Sequence, residues 1–238
     1  MIRHFVLAAL LLAAPATALA GPKKFTVRIE NLSTTATLKL SDGTTAPAPN
    51  SPGLFVVGPR KSPMFRDGVL EGGIGLEALA ETGNPDALAA AVKSAEGVVA
   101  SGVFNTPVGD AKPGPALPGK VYEFTFKADH GHFLHFVTMF AQSNDLFYAP
   151  SENGIALFDQ NGKAIQGDYT VLVRLWDAGT EVNQEPGLGQ DQAPRQATPN
   201  SGEAEKNPVT QVKDAYTYPP VAQVIRVTIN PKSPLAKR

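Results

Sequence analysis

Residues 24–30 alternate strictly: Phe25, Val27 and Ile29 fall on one face of an extended chain, and Lys24, Thr26, Arg28 and Glu30 on the other. Successive side chains of a strand point to opposite sides, so this spacing describes a strand with one face in a core and one in water. Leu38 and Leu40 mark a second short strand ended by Asp42-Gly43. Further strands are expected at 54–57, 98–104, 122–128, 133–140, 155–158, 170–176 and 221–229. In the last, Ile225, Val227 and Ile229 alternate with Val224, Arg226 and Thr228. Turn formers separate the runs, among them Asp129-His130-Gly131, Asn153-Gly154 and Asn161-Gly162. With 22 glycines and 21 prolines, short strands joined by many turns are favoured over a helical bundle. The expected fold is all-β, an antiparallel β-sandwich of about eight strands.

One region departs from period two. Residues 76–79 and 86–92 are rich in alanine and leucine at helical spacing, and Asn84-Pro85 can start the second helix as cap and first-turn proline. A short helical insertion crossing one end of the sandwich is expected. Two stretches are poor in apolar residues: 106–118, with four prolines, and the polar run 184–208. Connections as long as the second are uncommon in compact domains and are usually functional or disordered. No repeat is evident, so residues 21–238 form one expected domain.

The N-terminus carries a targeting pattern. Met1-Ile2-Arg3-His4 is a short basic start, residues 5–14 are apolar, and Ala18-Leu19-Ala20 is a small-x-small cleavage site. Residues 1–20 are therefore expected to be a signal peptide cut after Ala20, giving a secreted or periplasmic protein with no transmembrane segment after cleavage. Cysteine is absent, which excludes disulfides, thiolate metal sites and thiol nucleophiles. A formal net charge of −1 offers no electrostatic footprint for nucleic acid.

The chemistry-bearing residues gather at the ends of two apolar runs. Val171 to Trp176 stops at Asp177; a turn of Ala178, Gly179 and Thr180 follows, and then Glu181. Asp145 stands in a second loop, Gln142-Ser143-Asn144-Asp145, after another strand. If those strand ends meet, three carboxylates converge and call for a cation. Calcium fits, because a hard divalent ion takes several carboxylate oxygens completed by carbonyls and water. The alternative makes Asp177 a turn-capping acceptor for the amides of Gly179 and Thr180, with Glu181 solvated.

His130, His132 and His135 read as turn and surface histidines, since 132 and 135 point to opposite faces of a strand. No nucleophile elbow, His-Glu-x-x-His, phosphate-binding or dinucleotide motif is present. Trp176, the one tryptophan, reads as a core residue at the sandwich end or else an exposed platform.

Three stretches carry a family resemblance: Ser143-Asn144-Asp145-Leu146-Phe147-Tyr148-Ala149-Pro150, Gly154-Ile155-Ala156-Leu157-Phe158-Asp159, and Leu175-Trp176-Asp177-Ala178-Gly179-Thr180-Glu181-Val182-Asn183. They resemble the spondin domain, the F-spondin and mindin type of extracellular matrix proteins, also found alone in exported bacterial proteins. The resemblance runs from about Lys24 to Ile229. It implies an antiparallel sandwich with one Ca2+ at a loop end, held by Asp145, Asp177 and Glu181. This chain has glutamate at 181 where the animal domains usually have aspartate, and it lacks their cysteines.

The resulting expectation is an exported, non-enzymatic calcium-binding module for adhesion or surface interaction. Its partner would be an extracellular protein, a glycan or a membrane surface. Two alternatives remain: an exported hydrolase using Asp145 and Asp177 as paired carboxylates, and a carbohydrate-binding module using the 184–208 loop and exposed aromatics such as Tyr148.

Overall fold

The computed structural model describes residues 21–232; the expected signal peptide at 1–20 and residues 233–238 lie outside the described residues. In chain order the elements begin with β1 (Lys23–Asn31), β2 (Leu38–Lys39), β3 (Thr45–Ala46) and β4 (Asn50–Gly58). Two helices, α1 (Leu76–Thr82) and α2 (Asp86–Val92), precede β5 (Ala100–Phe104), β6 (Val121–Ala128) and β7 (Phe133–Phe140). Then come β8 (Leu146–Pro150), β9 (Ile155–Ala156), β10 (Gly167–Asp168), a 3-10 turn (Thr170–Leu172) and β11 (Val173–Asp177). β12 (Thr210–Gln211), the single turn α3 (Val221–Val224) and β13 (Ile225–Pro231) complete the chain.

All strand pairing is antiparallel, and the fold is all-β with short helices, as the alternation implies. One sheet has the order β10-β13-β1-β6; the other runs β12-β11-β8-β7-β4-β5, with β9 also on β7. The inward faces meet in an aromatic core. Phe55 stacks on Phe124 at 4.3 Å, Phe104 on Phe124 at 5.2 Å, and Phe25 meets Phe158 edge-on at 5.6 Å.

The two sheets differ in how they use their outer faces. β1 alternates buried and half-exposed along its length, so its outer face is wet. β8 is buried at every position and β4 and β7 nearly so. The cause is a third layer. Phe55 and Val57 point into the sandwich while Leu54 and Val56 point out, against Leu76, Leu79, Leu88 and Val92 of the helices. The helices therefore cover the outer face of the larger sheet instead of crossing one end of the sandwich. Helix α1 stops at Gly83, whose φ of 71° lets its N–H return to Leu79 O at 2.9 Å. Asn84 Oδ1 accepts the N–H of Asp86 at 3.0 Å at the start of α2, where Pro85 takes the N-cap position and not the first-turn position its sequence suggests.

Strand boundaries shift where a local signal changes. Pro219-Pro220 starts α3, so the last strand begins only at Ile225. Trp176 is 1 % exposed under the helical layer, its indole N–H donating to Ala149 O at 3.2 Å and its ring 5.0 Å from that of Phe65. Tyr148 is 0 % exposed in the inter-sheet core, so it is no ligand platform. His135 is 1 % exposed, its Nε2 2.9 Å from Pro59 O, and burial lowers its pKa; it is a core histidine and not a surface one. Among the described residues no helix is long and apolar enough to cross a membrane.

Candidate metal centre

The register of β8 against β11 sets Leu146 opposite Asp177. One step further out, Ala178 N–H donates to Asp145 O at 3.2 Å, so the two acids emerge side by side from neighbouring strands. The loop before β8 is bridged by one side chain: Ser143 Oγ donates to Phe140 O at 2.6 Å and accepts from Leu146 N at 3.1 Å. Asp145 Oδ2 then takes the N–H of Thr180 at 2.7 Å and that of Glu181 at 3.2 Å. Asp145 is wholly buried, and its second oxygen, Oδ1, has no hydrogen-bond partner. A buried carboxylate oxygen without a donor is unfavourable unless a proton or cation meets it.

Two other acids converge with Asp145. One ligand oxygen from each of Asp145, Asp177 and Glu205 lies within 4.8 Å of the others, an arrangement that can hold a metal ion. Oxygens on opposite sides of a calcium ion are about 4.6–5.2 Å apart, given ligand distances near 2.3–2.6 Å. Asp177 is half-buried; its Oδ1 accepts Gly179 N at 2.7 Å and its Oδ2 accepts Asn183 Nδ2 at 2.6 Å. Asp177 thus closes its own turn at Gly179 and faces the cluster as well, while the Thr180 amide goes to Asp145.

Glu205 is the residue that sequence reasoning missed. Residues 203–207 run back along 179–182: Val182 N bonds Glu203 O at 2.8 Å, Glu205 N bonds Thr180 O at 2.9 Å, and Asn207 N bonds Gly179 O at 2.9 Å. Gly179 permits this approach, because a Cβ there would sit 2.3 Å from Asn207 O and its φ is +71°. Nothing local in Gly202-Glu203-Ala204-Glu205 signals a ligand; only the long-range pairing supplies it.

Glu181 goes elsewhere. Its Oε1 accepts Gly202 N at 3.1 Å and its Oε2 accepts Asn144 Nδ2 at 3.3 Å, so it clamps the loop and stands outside the three-acid group. The structure brings together Asp145 and Asp177 of the expected set and replaces Glu181 by Glu205. Residues i and i+4 around this turn diverge because Asp177 ends β11 while Glu181 lies beyond the turn, bridged to Ala204, with its carboxylate taken by Gly202 and Asn144.

The electrostatics are one-sided. Burial, then the charge of Asp177, pushes the Asp145 carboxyl up to about 7 against the amide bonds that lower it. Burial also raises Asp177, and burial with the charge of Asp177 raises Glu205. Glu81 on α1, 2 % exposed, is raised to about 7 by burial, with Glu181, Glu77 and Glu71 adding repulsion. Its Oε1 lies 2.7 Å from Thr180 Oγ1, which is 3.2 Å from Asp145 Oδ2, and its Oε2 has no partner. The ion pairs among the described residues (Arg28–Glu123, Lys61–Glu152, Lys120–Asp110 and Arg226–Glu30) all lie away from this cluster.

The 184–208 segment is largely built into the domain. Gln192 is 0 % exposed; its Oε1 accepts Gly187 N at 3.0 Å, and its Nε2 donates to Glu185 O at 2.9 Å. Arg195 donates to Gly189 O at 2.7 Å and to Gln142 Oε1 at 3.1 Å, tying the loop to the segment before Asp145. The polar run is thus held against the domain at 185–195, and 203–207 is paired backbone and not disordered chain.

No protein-family model matches the chain, and no curated protein sequence matches it.

Proposed function

We propose that this chain is an exported, non-enzymatic calcium-binding module of the spondin type, acting in adhesion or surface interaction. The observation that carries the reading is the buried Asp145, whose Oδ1 has no hydrogen-bond partner and whose carboxylate converges with those of Asp177 and Glu205, none of the three in an ion pair among the described residues. All the facing side-chain ligands are oxygens, which suits a hard cation, and calcium tolerates the irregular geometry that loop carboxylates provide. The burial of Asp145 also speaks against a paired-carboxylate hydrolase, since a catalytic carboxylate has to touch substrate. Isothermal titration with calcium tests the proposal. Binding at micromolar to millimolar affinity, lost in Asp145→Asn, is the expected result; a calorimetrically silent wild-type protein after complete chelation would sink it.

A further inference from the structure

The outer face of the smaller sheet carries a second feature with no role in the metal centre. Lys24 pairs with Lys127 across β1 and β6, and Lys232 continues the register of β13, donating its N–H to Lys24 O at 2.6 Å. Three lysines thus stand in one row across three strands, all exposed. Adjacent strands lie about 4.8 Å apart, so the row repeats positive charge at that interval. Like charges directly opposite each other destabilise a sheet, and none of the three makes an ion pair among the described residues. The next row on this face is Asn230, Thr26 and Thr125; beyond it Arg28 is bound to Glu123 at 2.7 Å. Glu123 is two same-face steps from Lys127, about 13 Å at 3.3–3.4 Å per residue, which exceeds the Debye length of about 8 Å at physiological ionic strength. Asp129, nearest in sequence, is in the turn beyond the strand end. The row therefore carries three ammonium groups without an ion pair among the described residues, of which the Asp129 carboxylate can offset one at most, in a chain whose overall charge is −1.

We propose that this face, with Lys24, Lys127 and Lys232 as its charged row and Thr26, Thr125 and Asn230 beside it, binds a sulfated or phosphorylated polysaccharide. The chemistry selects this partner over other polyanions. Hydroxyl and amide groups next to ammonium groups suit a chain that presents both anions and polyols. The rows carry no aromatic side chain on which a base could stack, as single-stranded nucleic acid requires. They carry no large apolar side chain to enter a bilayer, as interfacial membrane binding requires. A sheet face is also flat and extended, matching a linear polymer.

Binding of the chain to dextran sulfate, with unmodified dextran of the same length as control, tests this. Dextran sulfate should bind at least tenfold more tightly, with affinity falling steeply as salt rises. Replacing all three lysines by alanine should reduce affinity at least tenfold, and replacing all three by arginine should retain it. The melting temperature of the alanine variant should be unchanged or higher, because repulsion is relieved. Binding should be the same in calcium and in chelator, since the lysine row and the carboxylate cluster lie on different sheets. Equal affinity for the two dextrans, retention of affinity in the alanine variant, or loss in chelator would each overturn the assignment. So would tighter binding to anionic phosphatidylserine vesicles or to single-stranded DNA than to dextran sulfate.

Discussion

Thr180 N–H donates to Asp145 Oδ2 at 2.7 Å, so an acid from the β7–β8 loop closes the turn that follows β11. The bond makes Asp145 two things at once: an acceptor for a neighbouring turn through Oδ2, and a member of the acid cluster whose Oδ1 has no hydrogen-bond partner. The two roles separate by substitution. Asp145→Asn keeps an oxygen for the Thr180 and Glu181 amides, replaces the unpartnered oxygen by an NH2 and removes one negative charge from the cluster. It should abolish the calcium response while leaving the chelated protein as stable as wild type or more so. Asp145→Ala strands two donors and should lower stability in chelator by about 1–3 kcal/mol for each buried unsatisfied group. Thermal unfolding of both variants with and without calcium checks the pair.

Glu205 and Glu181 can be told apart in the same way. Glu205→Gln should weaken calcium binding at least tenfold, because a carboxylate of the cluster is lost. Glu181→Gln should leave calcium affinity within about threefold of wild type, since its oxygens serve Gly202 and Asn144. The reverse ranking by calorimetry would restore Glu181 as the third ligand and remove Glu205.

Protons and calcium compete for this cluster, and the signs can be worked out. Asp145 and Glu81 have folded-state values near 7, above the ordinary carboxylate range they return to on unfolding. Between about pH 4 and 7 the folded chain then holds more protons than the unfolded chain, so stability in chelator falls as pH rises through that window. The loss should be on the order of a few kcal/mol. Bound calcium needs the carboxylates ionised, so its affinity should rise over the same range. Urea midpoints at pH 5 and 7.5 should converge with and without calcium at the lower pH and diverge at the higher. A chelated protein that gains stability from pH 5 to 7.5 would contradict the buried, unpaired state of these acids.

Much of this fold is legible in period-two spacing, and its limits have a physical cause. Phe25, Val27 and Ile29 reveal β1 because one face of the small sheet meets water. Leu146 to Pro150 gives no such signal, because the inter-sheet core buries one face of β8 and the helical layer the other, which removes the polar half of the pattern. At the site, Asp145 and Asp177 are visible as acids ending apolar runs. Glu205 is not, since it reaches the cluster only through backbone pairing of 203–207 with 179–182. His135 illustrates the same limit: Gly154 lies so close that a Cβ there would sit 2.5 Å from the imidazole, a burial no local pattern announces.

Gly179 couples the turn to the third acid. A Cβ there meets Asn207 O at 2.3 Å and requires a φ of +71°, which costs an L-residue about 1–2 kcal/mol before any clash. Gly179→Ala should therefore push the 203–207 segment away from the turn. Calcium affinity should fall as far as in Glu205→Gln, with a larger drop in melting temperature. A variant with wild-type affinity would show that Glu205 does not contribute to the site.

The returning strand also determines what a protease can reach. Lys206 is exposed, but its neighbours Glu205 and Asn207 are both bonded through their amides to the turn after Asp177. A protease needs several residues of extended, free backbone, so trypsin can cut after Lys206 only when 203–207 lifts off. That opening separates Glu205 from Asp145 and Asp177, and it relieves their repulsion when no cation is present. Calcium should oppose it, because an ion bound between the three acids ties the segment down and favours the closed state by mass action. Cleavage at Lys206 should therefore be slow in calcium and at least severalfold faster in chelator. Arg195, held through Gly189 and Gln142, should be protected in both states. Mass spectrometry of a short tryptic digest reads both bonds at once. Equal rates at Lys206 in the two conditions would mean that the segment carrying Glu205 is closed by its backbone bonds alone, without an ion.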